Sequence, residues 1–179
     1  MSNNVGYFWT SEKIEPRKTE KLEIGTFAKK NIKKGERLII QGGYVVPIKL
    51  EEELPSEFND NGIQITEDLV LSIREKEKIG GINYVNHSCN ANAGFNGHIF
   101  IVAMRDIKKD EEITIDYVMT LHRCKDAKIY KMKCLCGSKN CRGYITDTDW
   151  KIPALQKKYN GYFQYYLQEK INALRNKKR

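Results

Sequence analysis

The 179-residue chain contains no apolar run long enough to cross a membrane. Its longest apolar runs, Leu38–Ile40 and Ile99–Met104, fall far below the roughly 20 residues that a bilayer requires. The first ten residues also lack the basic and apolar regions of a secretory signal peptide. We therefore expect an intracellular protein, nuclear or cytosolic according to the organism, with no membrane partner. In such a compartment we expect the five cysteines to form no structural disulfides.

Internal repeats and low-complexity stretches are also missing. The length fits about one domain, and 40% hydrophobic with 30% charged residues is a globular balance. Short β-prone runs alternate with turn signals such as Lys33-Lys34-Gly35-Glu36. These runs are Leu38–Ile40, Tyr44–Val46, Leu69–Ile73, Ile99–Met104 and Ile113–Tyr117. Their frequency predicts a mostly β fold rather than alternating βαβ units.

The C-terminal tail carries nearly all of the net charge. Between Lys151 and Arg179, eight basic residues and one acidic residue give +7 of the formal +8 of the chain. Apolar and aromatic residues recur there every three or four positions, at Leu155, Tyr159, Tyr162, Phe163, Tyr166, Leu167, Ile171 and Leu174. This spacing predicts an amphipathic helix, broken near Asn160-Gly161, whose apolar stripe packs on the β domain. A weak nucleic-acid contact through the basic tail is the alternative.

Three cysteines lie within eight residues in the pattern Cys134-x-Cys136-x4-Cys141. Thiols so close in sequence do not easily form unstrained disulfides with one another, whereas they can surround a tetrahedral metal. Structural zinc takes four ligands and favours thiolates, so the pattern predicts a zinc site that lacks one ligand. The residues alone leave five candidates for the fourth position: Cys89, Cys124, His87, His98 and His122. Distance along the sequence favours Cys124 or His122.

Five segments occur in an order and at spacings that match one known family. They are Gly25–Ala28, Ile32–Glu36, Asn86-His87-Ser88-Cys89-x-x-Asn92, Glu111–Tyr117 and the cysteine pattern. Between about residues 21 and 146 the chain thereby resembles the SET-domain protein-lysine methyltransferases that carry a C-terminal post-SET zinc motif. The resemblance implies a fold of small curved sheets with a knot-like C-terminal threading. It also implies four parts: an N-terminal segment at 1–20, a SET domain at 21–120, a post-SET motif at 130–146 and a basic helical tail at 147–179.

The resemblance further implies methyl transfer from S-adenosylmethionine to the ε-amine of a lysine in a protein substrate, such as a histone. It identifies Tyr117 as the catalytic residue. It makes Cys89 the fourth ligand of a structural zinc, beside Cys134, Cys136 and Cys141. The residues that it implies for cofactor binding are Glu23, Ile24, Gly25, Thr26, Tyr84, Asn86, His87, Tyr117 and Ile145.

Two apolar residues, Phe95 and Ile115, match positions that line the lysine channel of the family. An apolar channel disfavours the ammonium form of a substrate lysine, whose ordinary pKa is about 10.4, so the chemistry needs no strong base. Neither residue carries a hydroxyl that could hold a water molecule beside the amine. The resemblance therefore predicts di- or trimethylation.

The sequence departs from the family pattern at three places. Glu23 replaces the first glycine of a Gly-x-Gly loop, and Asn83 stands where the family often has arginine. Gln41–Tyr44 replaces the usual Tyr-x-Gly-Glu. These departures keep a second interpretation open: a catalytically silent, zinc-stabilised SET-like module that binds a partner.

Overall fold

The computed structural model describes residues 7–19, 24–55, 58, 61–75, 79–124 and 128–177. The strands within these ranges are β1 (Phe8–Thr10), β2 (Ile14–Lys18), β3 (Ile24–Ala28), β4 (Arg37–Gln41), β5 (Tyr44–Pro47), β6 (Ile63–Gln64), β7 (Leu69–Ser72), β8 (Asn86–His87), β9 (Ala93–Asn96), β10 (Phe100–Ala103), β11 (Glu112–Ile115), β12 (Lys131–Lys133) and β13 (Tyr144–Thr146). The α-helices are α1 (Ile48–Glu52), α2 (Pro153–Lys158) and α3 (Tyr165–Asn176). The predicted mostly β fold with a helical C-terminal region is confirmed.

Two four-stranded sheets form the body of the protein. One has the order β1-β4-β10-β9, with every pair antiparallel. Its two central strands are apolar runs that the sequence predicted, and Ile39 faces Ile101 across them with both side chains fully buried. The other sheet has the order β2-β3-β11-β8. Among the described residues, a three-stranded sheet, β5-β7-β6, and the β12-β13 hairpin complete the β structure.

Strand β8 runs parallel to β11, whereas the other pairs in its sheet are antiparallel. This pairing sets Asn86-His87 beside Thr114-Ile115. After β11 the chain enters a short 3₁₀ helix, Tyr117–Met119. Two sequence motifs that are far apart along the chain therefore lie side by side at one end of the sheet.

The C-terminal tail packs against the β body, as its apolar stripe predicts. The two tail helices are separated near Gly161, whose φ of +83° is a conformation that glycine adopts without strain. Five of the eight side chains of this stripe are buried in the same core cluster as Leu38 and Ile101: Tyr159, Phe163, Tyr166, Leu167 and Ile171. Burying a large apolar side chain contributes about 1.5–3 kcal/mol. No described helix combines the length and the apolar character needed to cross a membrane.

Candidate functional site

Tyr117 lies at the boundary between two cavities. The larger cavity, of about 740 Å³, is lined by Tyr117 together with Asn86 and His87. The smaller one, of about 210 Å³, is lined by Tyr117 together with Phe95 and Ile115. One residue thus borders both spaces, with residues predicted for the cofactor on one side and those predicted for the lysine channel on the other.

The backbone around Tyr117 is held by its neighbours in the sheet. The Tyr117 amide donates a hydrogen bond to Nδ1 of His87 at 3.3 Å, and the two rings lie 5.1 Å apart. Asp116 caps the 3₁₀ helix, because its carboxylate accepts the Val118 amide at 3.2 Å. Burial lowers the pKa of His87 to about 4, although the nearby Asp116 opposes this shift. The imidazole is therefore neutral near pH 7, which suits its role as an acceptor for the Tyr117 amide.

A partly buried ion pair connects Asp116 with the cysteine-rich segment. Arg142, directly after Cys141, donates two hydrogen bonds to the Asp116 carboxylate at 2.6 and 2.7 Å. Its Nε also donates to Asp149 at 3.2 Å. Burial works against the charge of Arg142, but Asp116 outweighs it and raises the pKa of the guanidinium. Such two-point contacts between arginine and carboxylate are short and strong because both partners are charged.

The predicted metal-binding thiols lie together, and each of them is a free cysteine. The Sγ atoms of Cys89 and Cys134 are 3.8 Å apart. A tetrahedral zinc site with Zn–S bonds of about 2.3 Å places its sulfurs about 3.8 Å from one another. The Cys134 thiol also interacts with the thiols of Cys136 and Cys141. The donor set therefore fits a structural zinc ion in both chemistry and spacing.

His87 is a further donor beside these thiols. The ligand atoms of His87, Cys89, Cys134 and Cys136 all lie within 4.8 Å of one another. The Sγ of Cys141 lies 3.8 Å from the carbonyl oxygen of Cys134, outside that tightest group. Cys124, which distance along the sequence favoured as the missing ligand, is not in this group. Its sulfur accepts a hydrogen bond from Gln64 at 3.0 Å. Four thiols and one imidazole are thus available for four coordination positions.

The segment Ile24–Thr26 contacts Asn86, although none of its three residues lines the larger cavity. The Asn86 side-chain amide donates to Glu112 at 2.9 Å and to the Ile24 carbonyl at 3.4 Å. A Cβ atom at Gly25 would come within 2.6 Å of the Glu112 carboxylate, so a larger residue here would displace the side chain that accepts from Asn86. The Thr26 hydroxyl donates to the Tyr84 carbonyl at 3.0 Å. The strand that carries these predicted residues therefore supports Asn86 directly.

Two predicted cofactor residues, Ile145 and Glu23, are not part of this strand or of the Asn86-His87 segment. Ile145 is fully buried and packs with Cys89 and Cys134, next to Tyr117. Glu23 lies outside the described residues. Sequence reasoning missed several residues that also line the larger cavity: Arg17, Lys18, Thr19, Phe27, Met132 and Leu135. Arg142 was also missed, although its place directly after the last cysteine of the pattern marks it for attention.

Comparison with known proteins identifies the family. A family model described as SET domain matches residues 23–118, which is more than half of the chain. The chain is 31% identical over 135 residues, 68% of its length, to "Histone-lysine N-methyltransferase, H3 lysine-4 specific" of Aspergillus oryzae and covers 10% of that protein. The protein of the same name from Saccharomyces cerevisiae is also 31% identical over 68% of this chain, which covers 12% of that protein.

A third relative carries a different name. The "Variant-silencing SET domain-containing protein" of Plasmodium falciparum is 32% identical over 149 residues, 73% of this chain and 6% of that protein. The chain thus spans 12% or less of the length of these three curated relatives. The residues that the family model matches, 23–118, extend from the start of β3 into the 3₁₀ helix that begins at Tyr117. They therefore include Tyr117, which borders both cavities. The chain belongs to the SET domain family.

Proposed function

We propose that this protein is a lysine N-methyltransferase that uses S-adenosylmethionine to modify a protein substrate. The observation that carries the proposal is the position of Tyr117, which borders a large cavity on one side and, on the other, a smaller cavity whose wall includes the apolar side chains of Phe95 and Ile115. Methyl transfer requires the donor and the amine to approach each other in line, which two cavities that share one residue permit. Relatives named histone-lysine N-methyltransferases support the same activity.

The larger cavity suits the cofactor in size and in lining. Sites for small molecules and cofactors measure about 300–1,000 Å³, and this one measures about 740 Å³. Asn86, His87 and Tyr117 would contact S-adenosylmethionine here, which when bound supplies an electrophilic methyl group. We also propose Ile24, Gly25, Thr26, Tyr84 and Ile145 as cofactor-binding residues, although none of them lines this cavity. Glu23, which lies outside the described residues, completes the predicted set.

The smaller cavity would receive the lysine side chain. Phe95 and Ile115, both buried, give it an apolar wall next to Tyr117. An apolar wall lowers the pKa of an inserted lysine amine, because burial disfavours the charged ammonium. The amine is a nucleophile only after it has lost that proton to solvent. The Tyr117 hydroxyl then orients the neutral amine toward the larger cavity.

We propose that Cys89, Cys134, Cys136 and Cys141 hold a structural zinc ion. The 3.8 Å spacing of Cys89 and Cys134 supports this assignment. Backbone amides also point at two of the sulfurs, because Arg142 N–H donates to Cys89 and Gly143 N–H donates to Cys141, each at 3.4 Å. Such donors stabilise thiolates. The ion would fix the post-SET segment against the Asn-His-Ser-Cys segment.

The substrate that we propose is a lysine in a histone or another basic protein, modified inside the cell. Residues of the smaller cavity include Glu51 and Glu52, whose negative charge favours a basic partner. A silent binding module would not require Tyr117 at the meeting point of two cavities. Nucleic-acid binding through the tail has less support, because Tyr159, Phe163 and Tyr166 are buried and cannot stack on bases.

The test is transfer of a radiolabelled methyl group from S-adenosylmethionine to histones and lysine peptides. We expect labelled lysine with the unaltered protein, and a loss of about a hundredfold or more with Tyr117→Phe, since loss of positioning has effects of this size. Tyr165→Phe, at an exposed tyrosine of α3, is the matched control and should label normally. Equal labelling by Tyr117→Phe and the unaltered protein would reject the role of Tyr117. Zinc-loaded protein that binds the cofactor but labels no substrate would support the silent module instead.

A further inference from the structure

The C-terminal tail contacts the backbone on both sides of the proposed catalytic centre. One set of contacts reaches the segment that follows Tyr117, and the other reaches Cys89, at the end of the Asn-His-Ser-Cys segment. The tail lies beyond residues 23–118, to which the family match is confined. Neither set of contacts follows from the family motifs.

The contacts near Tyr117 converge on the last residues of its 3₁₀ helix. The Gln164 backbone amide donates to the Met119 carbonyl at 2.9 Å. The Thr120 hydroxyl donates to the Gln164 side-chain carbonyl at 2.6 Å. The Tyr166 hydroxyl donates to the Thr120 carbonyl. Three hydrogen bonds from two tail residues thus hold the end of the helix that begins at Tyr117.

The contacts near Cys89 come from the end of α2. Lys158 Nζ and the Tyr159 hydroxyl both donate to the Cys89 carbonyl, at 2.6 and 3.0 Å. A carbonyl has two lone pairs, so these two donors satisfy it completely. The backbone of Cys89 is therefore held by the tail, whereas its sulfur faces the other thiols.

The burial of these polar groups makes the contacts informative. Gln164 is 0%, Tyr159 1% and Tyr166 9% exposed. A buried amide or hydroxyl is tolerated only where it finds a partner. The two tyrosine hydroxyls donate to backbone carbonyls of the site, whereas the Gln164 side chain accepts from the Thr120 hydroxyl and donates to the His98 carbonyl. A 3₁₀ helix of three residues has little stability of its own. Its position, and with it that of Tyr117, therefore depends on the residues that bind its ends.

We propose that Tyr159, Gln164 and Tyr166 are positioning residues for the methyl-transfer reaction. They form a clasp that holds the Tyr117–Thr120 segment and the Cys89 backbone in fixed places relative to each other. The inference rests on the proposed function for its kinetic consequence, but the clasp itself is a statement about local order. It makes the tail part of the catalytic unit rather than a separable extension.

The test uses the full chain, loaded with zinc, and compares Tyr166→Phe with Thr120→Val and Thr120→Ser. Tyr166→Phe removes one hydrogen bond, Thr120→Val removes another, and Thr120→Ser keeps the hydroxyl that Thr120→Val lacks. We expect kcat to fall about tenfold to a hundredfold in the first two variants, since small misplacements of reacting groups have effects of that size. The affinity for the cofactor, the peptide KM and the zinc content should stay within about twofold, and Thr120→Ser should restore kcat.

Tyr165→Phe is the control. Tyr165 is next to Tyr166 in the sequence, but it is 56% exposed and its hydroxyl takes no part in the clasp. Unchanged kcat in both Tyr166→Phe and Thr120→Val would overturn the proposal. So would losses of kcat, cofactor affinity and zinc in equal proportion, because these would indicate general unfolding.

Hydrogen exchange separates the clasp from the activity. The Tyr117–Thr120 amides should exchange faster in Tyr166→Phe than in Tyr165→Phe, whether or not the protein methylates the chosen substrate. An inactive unaltered protein with this exchange pattern would count against the proposed function and leave the clasp supported. Equal exchange in the two variants would overturn the clasp.

Discussion

Arg142, which is partly buried, forms an ion pair with the fully buried Asp116 through two hydrogen bonds, of 2.6 and 2.7 Å. Asp116 is fully buried and precedes Tyr117, whereas Arg142 follows Cys141 in the thiol cluster. The pair therefore links the cysteine-rich segment to the proposed catalytic residue by charge. This link is independent of the thiols themselves.

Replacing Arg142 with methionine should destabilise the protein strongly. The change leaves the Asp116 carboxylate buried without its main charged partner, and breaking a buried pair in this way costs about 3–5 kcal/mol. Urea unfolding of the two proteins measures the difference. Lys33→Met is the control, because Lys33 pairs with Asp106 at the surface, where such pairs contribute about 0–1 kcal/mol. Similar losses in both variants would contradict the importance of burial.

Cobalt substitution can decide whether Cys141 or His87 joins Cys89, Cys134 and Cys136 as a metal ligand. With four thiolates, we expect intense sulfur-to-cobalt absorption in the unaltered protein and a clear loss of intensity in Cys141→Ser. Cobalt affinity should also fall by at least about a hundredfold, more than is usual for changes outside the ligand set. Retention of the full spectrum in Cys141→Ser, with loss in His87→Gln, would assign the position to His87 instead.

Cys124→Ser provides the control for that experiment. Burial raises the pKa of Cys124 to about 11, which keeps the thiol protonated near neutral pH. Its sulfur accepts a hydrogen bond from Gln64 rather than lying near the other thiols. The cobalt spectrum of this variant should match that of the unaltered protein.

Truncating Leu167 should show how firmly the tail is packed. Its side chain is fully buried in the core cluster, so Leu167→Ala should lower the free energy of unfolding by about 2–5 kcal/mol. Leu174→Ala, on the same helix but 36% exposed, should cost much less. Denaturant unfolding of both variants provides the comparison. Equal effects would mean that the tail is not part of the cooperative fold.

A hydroxyl introduced into the smaller cavity should limit the number of methyl groups added. Phe95 is fully buried and lines this cavity, and Phe95→Tyr adds one polar group that can hold a water molecule beside the amine. We expect di- or trimethyl-lysine from the unaltered protein and mainly monomethyl-lysine from the variant, as measured by mass spectrometry. A monomethyl product from the unaltered protein would contradict the prediction.

The central strands could be predicted from the sequence because their apolar runs are continuous. β2 could not, since Ile14–Lys18 contains a proline and three charged residues. Its place at the edge of a sheet explains this composition, because an edge strand tolerates proline and keeps charged side chains in solvent. Pairing with β3 supplies the stability that local preference does not.

The candidate site, too, could be predicted only in part. Its motifs are local and could be read directly, whereas the geometry depends on partners that are distant along the chain. Sequence distance favoured Cys124 or His122 beside the clustered cysteines, but the structure brings Cys89 to them. The contact between Arg142 and Asp116 likewise depends on tertiary packing, so spacing along the sequence does not indicate it.

Because β8 and β11 run in the same direction, the chain between them must fold back across the body before the two strands can pair. The β9-β10 hairpin forms part of that return path. Contacts between remote residues form slowly, since closing a long loop costs entropy before any pairing is gained. The Asn86-His87 segment and the turn at Tyr117 should therefore meet late in folding, and a nascent chain released before residue 117 would hold only one half of the junction.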